Sequence, residues 1–381
     1  MTGTHEEEVT GTDFQFCEND NKGRYKLYLF ESGNGESKVR EIDASPLTSV
    51  LDTKTSNLYI FSMGIIRKIR RHAAVASGNF AMMFKDVKIP PLPEAVTCLI
   101  AEVNQPEPDI DKLATVISSS TGIAAKVIKT VNSALYSLRT PVINVKHAVT
   151  LLGLNHIRSI AIAYGTMDAL PKPDSDLFDH EAFWTDSLLR AIISQSIAKK
   201  MFKSQAEEAF TASLLADIAL PVLLSVWREY YEPIIEEWTQ SSKRLSEIER
   251  EHFGWDHAQA GAWILQSWKF PDEMVCYVGA HNLPWDTIRE VELENTIVAP
   301  IAVSAISSSV LKPDPERSAR VFGASVEWLS MTRPDFVKCM TEVKTSLGEI
   351  LELFGLPEQN LSRILDDITS VTEHEDHGEE S

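Results

Sequence analysis

The stretch from Ile89 to Leu154 constrains the fold more than any other part of the chain, because its stop signals allow only short helices. Pro90, Pro91 and Pro93 forbid a helix interior and then release a helix from Pro93 or Glu94, since the fixed φ of proline suits a first helical position. Val96, Leu99, Ile100 and Val103 follow at spacings of three and four, which predicts one apolar face. Asn104 to Pro108 ends that helix. Asp109 is placed to cap the next, with Ile110, Leu113, Val116 and Ile117 turned inward. Ile123, Val127, Val131 and Leu135 form the stripe of a third helix, with Lys126 and Lys129 off it. Asn144 caps a fourth along Val145, Ala148, Val149 and Leu152, and Gly153, which tolerates positive φ, stops it. Asn155 caps a fifth along Ile157, Ile160, Ala161 and Tyr164. Short loops force successive helices to pack, so this stretch predicts a compact all-α unit.

The turn Asn132-Ser133-Ala134-Leu135-Tyr136 lies inside that unit. Short polar side chains bond nearby backbone, so Asn132 and Ser133, with Tyr136, are expected to fix the turn that holds the first subdomain. Leu170 to Asp176, with two prolines and three acids or serines, marks a boundary. Helices are expected beyond it from Phe183 to about Met201, Glu207 to Ala219, Pro221 to Trp238, Ser246 to Phe253, Ala258 to Ser267 behind an Asp256 cap, Asp272 to His281, Glu294 to Val310, and Asp335 to Phe354 as the last substantial one.

The N-terminal region reads differently. Residues 1–20 are poor in apolar side chains and read as a disordered acidic tail. Arg24 to Phe30 alternates as a strand does, Ser32 to Gly35 is a turn signal, and Lys38 to Ile42 is the expected hairpin partner. Asn57 to Ala74 reads as a helix whose Arg67, Lys68, Arg70, Arg71 and His72 form one cluster, which could be a patch for an anion or acidic partner but reads more simply as a solvated face. Residues 21–84 are therefore expected to form a small α/β appendage.

The formal charge of −19 is concentrated at the ends. Residues 1–20 carry six acids and residues 371–381 five, with no Lys or Arg in either; setting these eleven aside leaves −8 for the body. Neither value favours binding a nucleic acid, which needs clustered Lys and Arg. The four cysteines, Cys17, Cys98, Cys276 and Cys339, form no Cys-x-x-Cys pair, which suits reduced thiols and a cytoplasmic location. The longest uncharged stretch, Thr296 to Leu311, is short for a bilayer span and contains Pro300, so no membrane role is expected.

Pro90-Pro91-Leu92-Pro93, Asn132-Ser133-Ala134-Leu135-Tyr136, His147-Ala148-Val149 and Leu151-Leu152-Gly153-Leu154-Asn155 together resemble the HDOD family, the bacterial HD-related output domain. The likeness continues through Glu251 to Ala258 and Gly261-Ala262-Trp263, and spans residues 85–310. It implies an all-α, HD-like fold in two helical subdomains. Residues 311–370 are then C-terminal helices packing on that domain, and residues 371–381 a disordered acidic tail. It also implies an output or adaptor role in signal transduction, with a protein signalling partner or a small ligand and no cofactor.

The second half is similar to the wider HD superfamily of metal-dependent phosphohydrolases, which hold a metal with an early His, a His-Asp pair and a late Asp. A divalent ion needs several imidazole and carboxylate ligands to bind and to acidify water. Those slots fall here at Asp186, at Ala216-Asp217, and near Ser304 or Ala305. Only Asp217 keeps the original chemistry, so the resemblance implies a degenerate, non-catalytic cleft lined by Asp186, Asp217, His257 and His281. Two rivals remain open. Asp217, His257 and His281 form a residual two-His, one-carboxylate set of the kind that holds divalent iron, which would make the chain a residual phosphohydrolase. The plainer reading makes His257 a first-turn residue and His281 a helix C-terminal one, with a hydrogen-bond donor beside Asp217, since an unpaired buried carboxylate is costly. The other rival is a helix-turn-helix transcriptional regulator built from Asn144–Leu152 and Asn155–Thr166, though its second helix offers only His156 and Arg158 as cations. Trp255, Trp263, Trp268 and Trp285 are expected in the core and the groove walls. The input signal and the oligomeric state are not legible.

Overall fold

The computed structural model describes residues 12–19, 25–33, 36–43, 89–103, 109–357 and 361–374. The chain divides into two compact units, Met1–Gly64 and Ile65–Ser381. The helix expected over Asn57–Ala74 and its basic cluster lie outside the described residues.

The first unit holds an antiparallel sheet in the order β1-β2-β3, made of Thr12–Asn19, Tyr25–Gly33 and Glu36–Asp43. The hairpin β2-β3 pairs Gly33 with Glu36 at its turn and Lys26 with Asp43 at its far end. Strand β1 falls within residues 1–20, the stretch read as a disordered acidic tail, whose residues 1–11 lie outside the described residues. Its sequence, TDFQFCEN, alternates Phe14 and Phe16 with polar residues, a period-2 signal outweighed in the sequence reading by the run of acids before it.

Among the described residues, the helical unit begins with α1 (Glu94–Val103), α2 (Ile110–Ser119), α3 (Thr121–Val131), α4 (Val145–Leu152) and α5 (Leu154–Ala169). Asp109 caps α2 by accepting from the backbone of Asp111 and Lys112, and Asn144 caps α4 by accepting from His147. Gly153, at φ 86°, serves both as the end of α4 and as the start of α5, so α5 begins one residue before Asn155, which lies inside its first turn. Close approach tightens this subdomain. A Cβ built on Gly165 of α5 would lie 2.0 Å from Val96 Cγ2 of α1.

The second subdomain is arranged around α6 (His180–Met201) and α7 (Ala206–Leu214). Helix α6 starts three residues earlier than Phe183 because Asp179 caps it through the Ala182 N–H. It is buried around its whole circumference, from Ala182 to Leu189 and again through Ala191–Ser194 and Ser196–Ala198. The expected helix from Glu207 to Ala219 is broken. Residues 215–218 turn between α7 and α8 (Ala219–Val226), and Trp227 separates α8 from α9 (Arg228–Gln240). The stretch Lys203–Val226 is apolar and long enough to cross a bilayer, but 78% of its most apolar window is buried inside the unit, where it serves as core.

Helices α10 (Leu245–Phe253), α11 (His257–Ser267), α12 (Asp272–Ala280) and α13 (Trp285–Glu290) follow. Gly254, at φ 76°, ends α10 in the left-handed conformation, and Asp256 with Gln259 closes a capping box on α11. The predicted helix over Glu294–Val310 is only α14 (Val298–Ser304), with turns on either side. The C-terminal part is richer than expected. Asp314 and Pro315 start α15 (Pro315–Leu329), Thr332 caps α16 (Arg333–Phe354), and α17 (Leu361–His374) runs into the region read as a tail. Leu361, Ile364, Leu365 and Ile368 of α17 are buried at spacings of three and four. That amphipathic stripe forms a helix despite the acids that follow it.

Candidate functional site

The break after α7 places Asp217 where no helix interior could. It leaves the carboxylate facing the N-terminal end of α11, the C-terminal end of α12 and the side of α6. Asp217 is buried. Its Oδ2 accepts a hydrogen bond from Nη1 of Arg190, one turn beyond Asp186 on α6. Its Oδ1 lies 3.2 Å from His257 Nε2 and 3.3 Å from His281 Nε2. The donor that a buried carboxylate requires is thus Arg190, supported by two imidazoles. Burial opposes the charge on Asp217, but the Arg190 guanidinium and the two histidines outweigh it and hold the acid well below the usual carboxylate range.

Each histidine is held from behind. His257 Nδ1 lies 2.6 Å from Glu249 Oε2, which also accepts the His257 backbone N–H at 3.0 Å. Glu249 is buried on α10, and its other oxygen accepts from the hydroxyl of buried Tyr231 on α9. His281 donates from Nδ1 to the Val278 carbonyl at 2.7 Å, one turn back in α12. Asn282 closes the group. Its Nδ2 lies 2.8 Å from His257 Nε2 and 2.9 Å from His281 Nε2, while its Oδ1 accepts from Arg244 Nη2 at 2.8 Å. Burial disfavours a charge on His257, but the carboxylates of Glu249 and Asp217 on its two nitrogens win and raise its pKa to about 10. The two flanking acids thus favour the protonated ring.

Asp186 is brought to the same cavity but is spent differently. Its Oδ2 accepts from the Ser309 hydroxyl at 2.5 Å, and its Oδ1 from the Val310 backbone N–H at 2.8 Å. It therefore ties α6 to the segment after α14. Burial pushes its pKa to about 6 against the pull of Arg190 and these two hydrogen bonds.

Asp186, Asp217, His257 and His281 all line one cavity, with Arg190, Arg244 and Arg317 among its other walls. The tryptophan at this cavity is Trp238, whereas Trp255 and Trp268 are buried elsewhere in the core. Ligand atoms of Asp217, His257 and His281 lie within 4.8 Å of one another, and the bond from each Nδ1 orients a ring as metal ligands are usually oriented. Two features work against an ion there. Arg190 already pairs with the carboxylate, and the Asn282 amide nitrogen sits against both Nε2 atoms. Ala216 and Ser304, at the other two slots, add no strong donor; Ser304 spends its hydroxyl on the Ile301 carbonyl at 2.8 Å. The set thus keeps three candidate ligand atoms and lacks the donors of the other two slots.

The turn motif is a separate structure. Asn132 Oδ1 accepts from the Val142 N–H and its Nδ2 donates to the Val142 carbonyl, both at 2.7 Å, which clamps a ten-residue loop. Tyr136 bonds through its hydroxyl to His156 Nε2, and His156 Nδ1 lies 2.8 Å from Glu207 of α7. The Ser133 hydroxyl is buried with no hydrogen-bond partner among the described residues, so it has no visible part in fixing the turn. His156 and Arg158, the two cations of the would-be recognition helix, thus face inward, Arg158 against Glu208 at 3.6 Å. Residues Ile157 and Ser159 to Thr166 of α5 are buried, so most of that helix is packed inside the unit.

Sequence reasoning missed Arg190, Glu249, Tyr231, Asn282 and the two further arginines. Arg190 carried one usable signal, its i,i+4 spacing from Asp186 on a predicted helix.

Residues 89–284 match the model of the HDOD domain family. An uncharacterized protein of Treponema pallidum (strain Nichols) is 20% identical over 198 residues, which is 51% of this chain and 38% of that protein. The chain thus aligns with well under half the length of that curated relative. Among solved structures, an HDOD domain protein of unknown function from Geobacter sulfurreducens is similar at 18% identity and a TM-score of 0.56, over 80% of this chain and 98% of that one. A protein from Shewanella amazonensis, provisionally described as a phosphohydrolase, is similar at 23% identity and a TM-score of 0.51, over 78% and 94%. Both likenesses concern the fold.

Proposed function

Because the chain belongs to the HDOD domain family, we propose that it is a non-catalytic output or adaptor module of signal transduction, and that its HD-type cleft binds a protein partner or a small ligand without hydrolysing it. The observation that carries this reading is the pairing of Asp217 with Arg190 and His257. A hydrolytic HD centre needs a carboxylate free to hold a dication and imidazoles with exposed lone pairs. Here the chain supplies its own positive charges to that carboxylate. The remaining acid, Asp186, is committed to Ser309 and Val310. A cleft neutralised in this way is suited to recognition. The reading does not involve nucleic acid or a membrane.

Metal analysis of protein purified without chelator, together with a phosphodiesterase assay, tests the proposal. The expected result is iron, manganese and zinc well below one equivalent and no turnover. Stoichiometric metal with turnover that disappears in His257→Ala would sink it.

A second reading has one observation behind it, the convergence of Asp217, His257 and His281 with both Nδ1 atoms anchored. It makes the cleft a mononuclear divalent-metal site, which would require His257 to lose its Nε2 proton. Metal uptake that rises steeply with pH would favour it.

A further inference from the structure

The cavity beside Asp217 is small, about 80 Å³, and its charge is unusual for an acidic protein. Phe178, Phe183 and Trp238 contribute to its lining together with three arginines, Arg190, Arg244 and Arg317. All three are half-buried. Among the described residues, only Arg190 of the three pairs with a carboxylate. Arg244 spends Nη2 on Asn282 Oδ1. Arg317 spends Nε on the Ile306 carbonyl at 2.8 Å and Nη2 on the Ala305 carbonyl at 3.3 Å. Neither Arg244 nor Arg317 forms a salt bridge among the described residues, and Arg190 Nε is buried without an acceptor there. A guanidinium has five N–H donors in a planar fork, so each arginine keeps donors to spare.

The cavity's two carboxylates do not answer those donors. Asp217 already serves Arg190 and two histidines, and both oxygens of Asp186 are taken by Ser309 and Val310. Several partly desolvated guanidiniums around one space repel one another, and burial magnifies the cost. The effect is visible on Arg317, whose pKa is lowered to about 10 by burial and then by Arg244 and Arg190. An oxyanion offers two or three acceptors to guanidinium forks and removes the repulsion.

We propose that this cavity is a binding site for a small oxyanion, a phosphate or a short carboxylate, held by Arg190, Arg244 and Arg317. The inference rests on the reading of the cleft as a binding and not a hydrolysing site, and it names the chemistry of the ligand. The volume limits the ligand's size. A cavity of about 150 Å³ admits benzene, so one near half that volume takes a free oxyanion or a very short acid.

Calorimetric titration of the full chain with inorganic phosphate, and separately with malonate, at constant ionic strength tests the site. Binding of at least one is expected. Phosphate alone would identify a tetrahedral site, and malonate alone a carboxylate site. Arg244→Gln and Arg317→Gln should each weaken the bound anion tenfold or more, whereas Arg289→Gln, on the exposed face of α13, should leave it unchanged. Arg317→Lys keeps the charge without the fork and should also weaken binding, which provides a milder variant if the glutamine ones do not fold. Failure of both anions to bind the unmodified chain, or equal binding by the cavity variants, would overturn the proposal. Hydrolysis of a phosphate ester, by contrast, would overturn the non-catalytic reading and leave the anion site standing.

Discussion

Replacing Asp186 with Asn should stabilise this protein at pH 8, although Asp186 is one of the cleft residues and makes two good hydrogen bonds. The reason is burial. The carboxyl has a pKa of about 6 in the folded chain against an ordinary value of 3.8. Between these values the folded state holds a proton that the unfolded chain has released. Stability contributed by this group therefore falls as pH rises from about 4 to about 6, and stays low above that. A shift of roughly two units, at about 1.4 kcal/mol each, amounts to a cost of about 3 kcal/mol for the ionised acid at pH 8. Asparagine resembles the neutral acid. Its Oδ1 can accept the Val310 N–H, and its Nδ2 can donate to the Ser309 hydroxyl. The variant should gain up to about 3 kcal/mol at pH 8 and close to nothing at pH 4. Urea unfolding of both proteins at these two pH values, on either side of the sequence pI of 5.0, measures the difference. An equal difference at both, or a loss at pH 8, would refute the burial argument and mean that Asp186 is ionised at little cost.

Three further outcomes follow from the same geometry. His257, at a pKa of about 10 between Glu249 and Asp217, contributes stability that is full below about pH 6.5 and lost as pH rises toward 10; the urea midpoint should drop over that range, and His257→Gln should flatten the slope. Asn132→Ala removes both hydrogen bonds to Val142 and should cost about 1–3 kcal/mol, because a backbone pair loses its partner; an unchanged melting temperature would count against the clamp. Gly165→Ala drives a methyl into Val96, which is fully buried, and should cost about 1–3 kcal/mol by overpacking α1 against α5; thermal unfolding equal to the parent would mean that the two helices separate freely.

Much of the helical scaffold was legible from local chemistry. Asp109, Asn144 and Asp256 act as caps, because caps are set by residues three or four apart; most of the expected stripe residues on α1 to α5 are buried, but Ile110 is 51% exposed and Leu135 lies beyond the end of α3. The breaks at residues 215–218 and at Trp227 were not legible. Neither residues 215–218 nor Trp227 is a Gly or Pro, so no local stop signal marks either break. Helices α15 and α17 were covered only by the general expectation of C-terminal helices over residues 311–370, although their Asp314-Pro315 start and i,i+3/i+4 stripe were present to be read.

By itself the sequence determined which side chains are available to the cleft, since four superfamily slots can be aligned along the chain and three of them hold residues unlike the ligands of an enzyme. It also fixed the fold family, through motifs spread over the first subdomain. Only the tertiary structure decided how those side chains are spent. Asp217 meets Arg190 from 27 positions upstream, Asp186 meets Ser309 from 123 positions downstream, and Arg244, just before α10, comes to the same cavity as Arg317 of α15. Charge state and hydrogen bonding depend on burial and on neighbours in space, and no local pattern encodes either for groups so far apart along the chain.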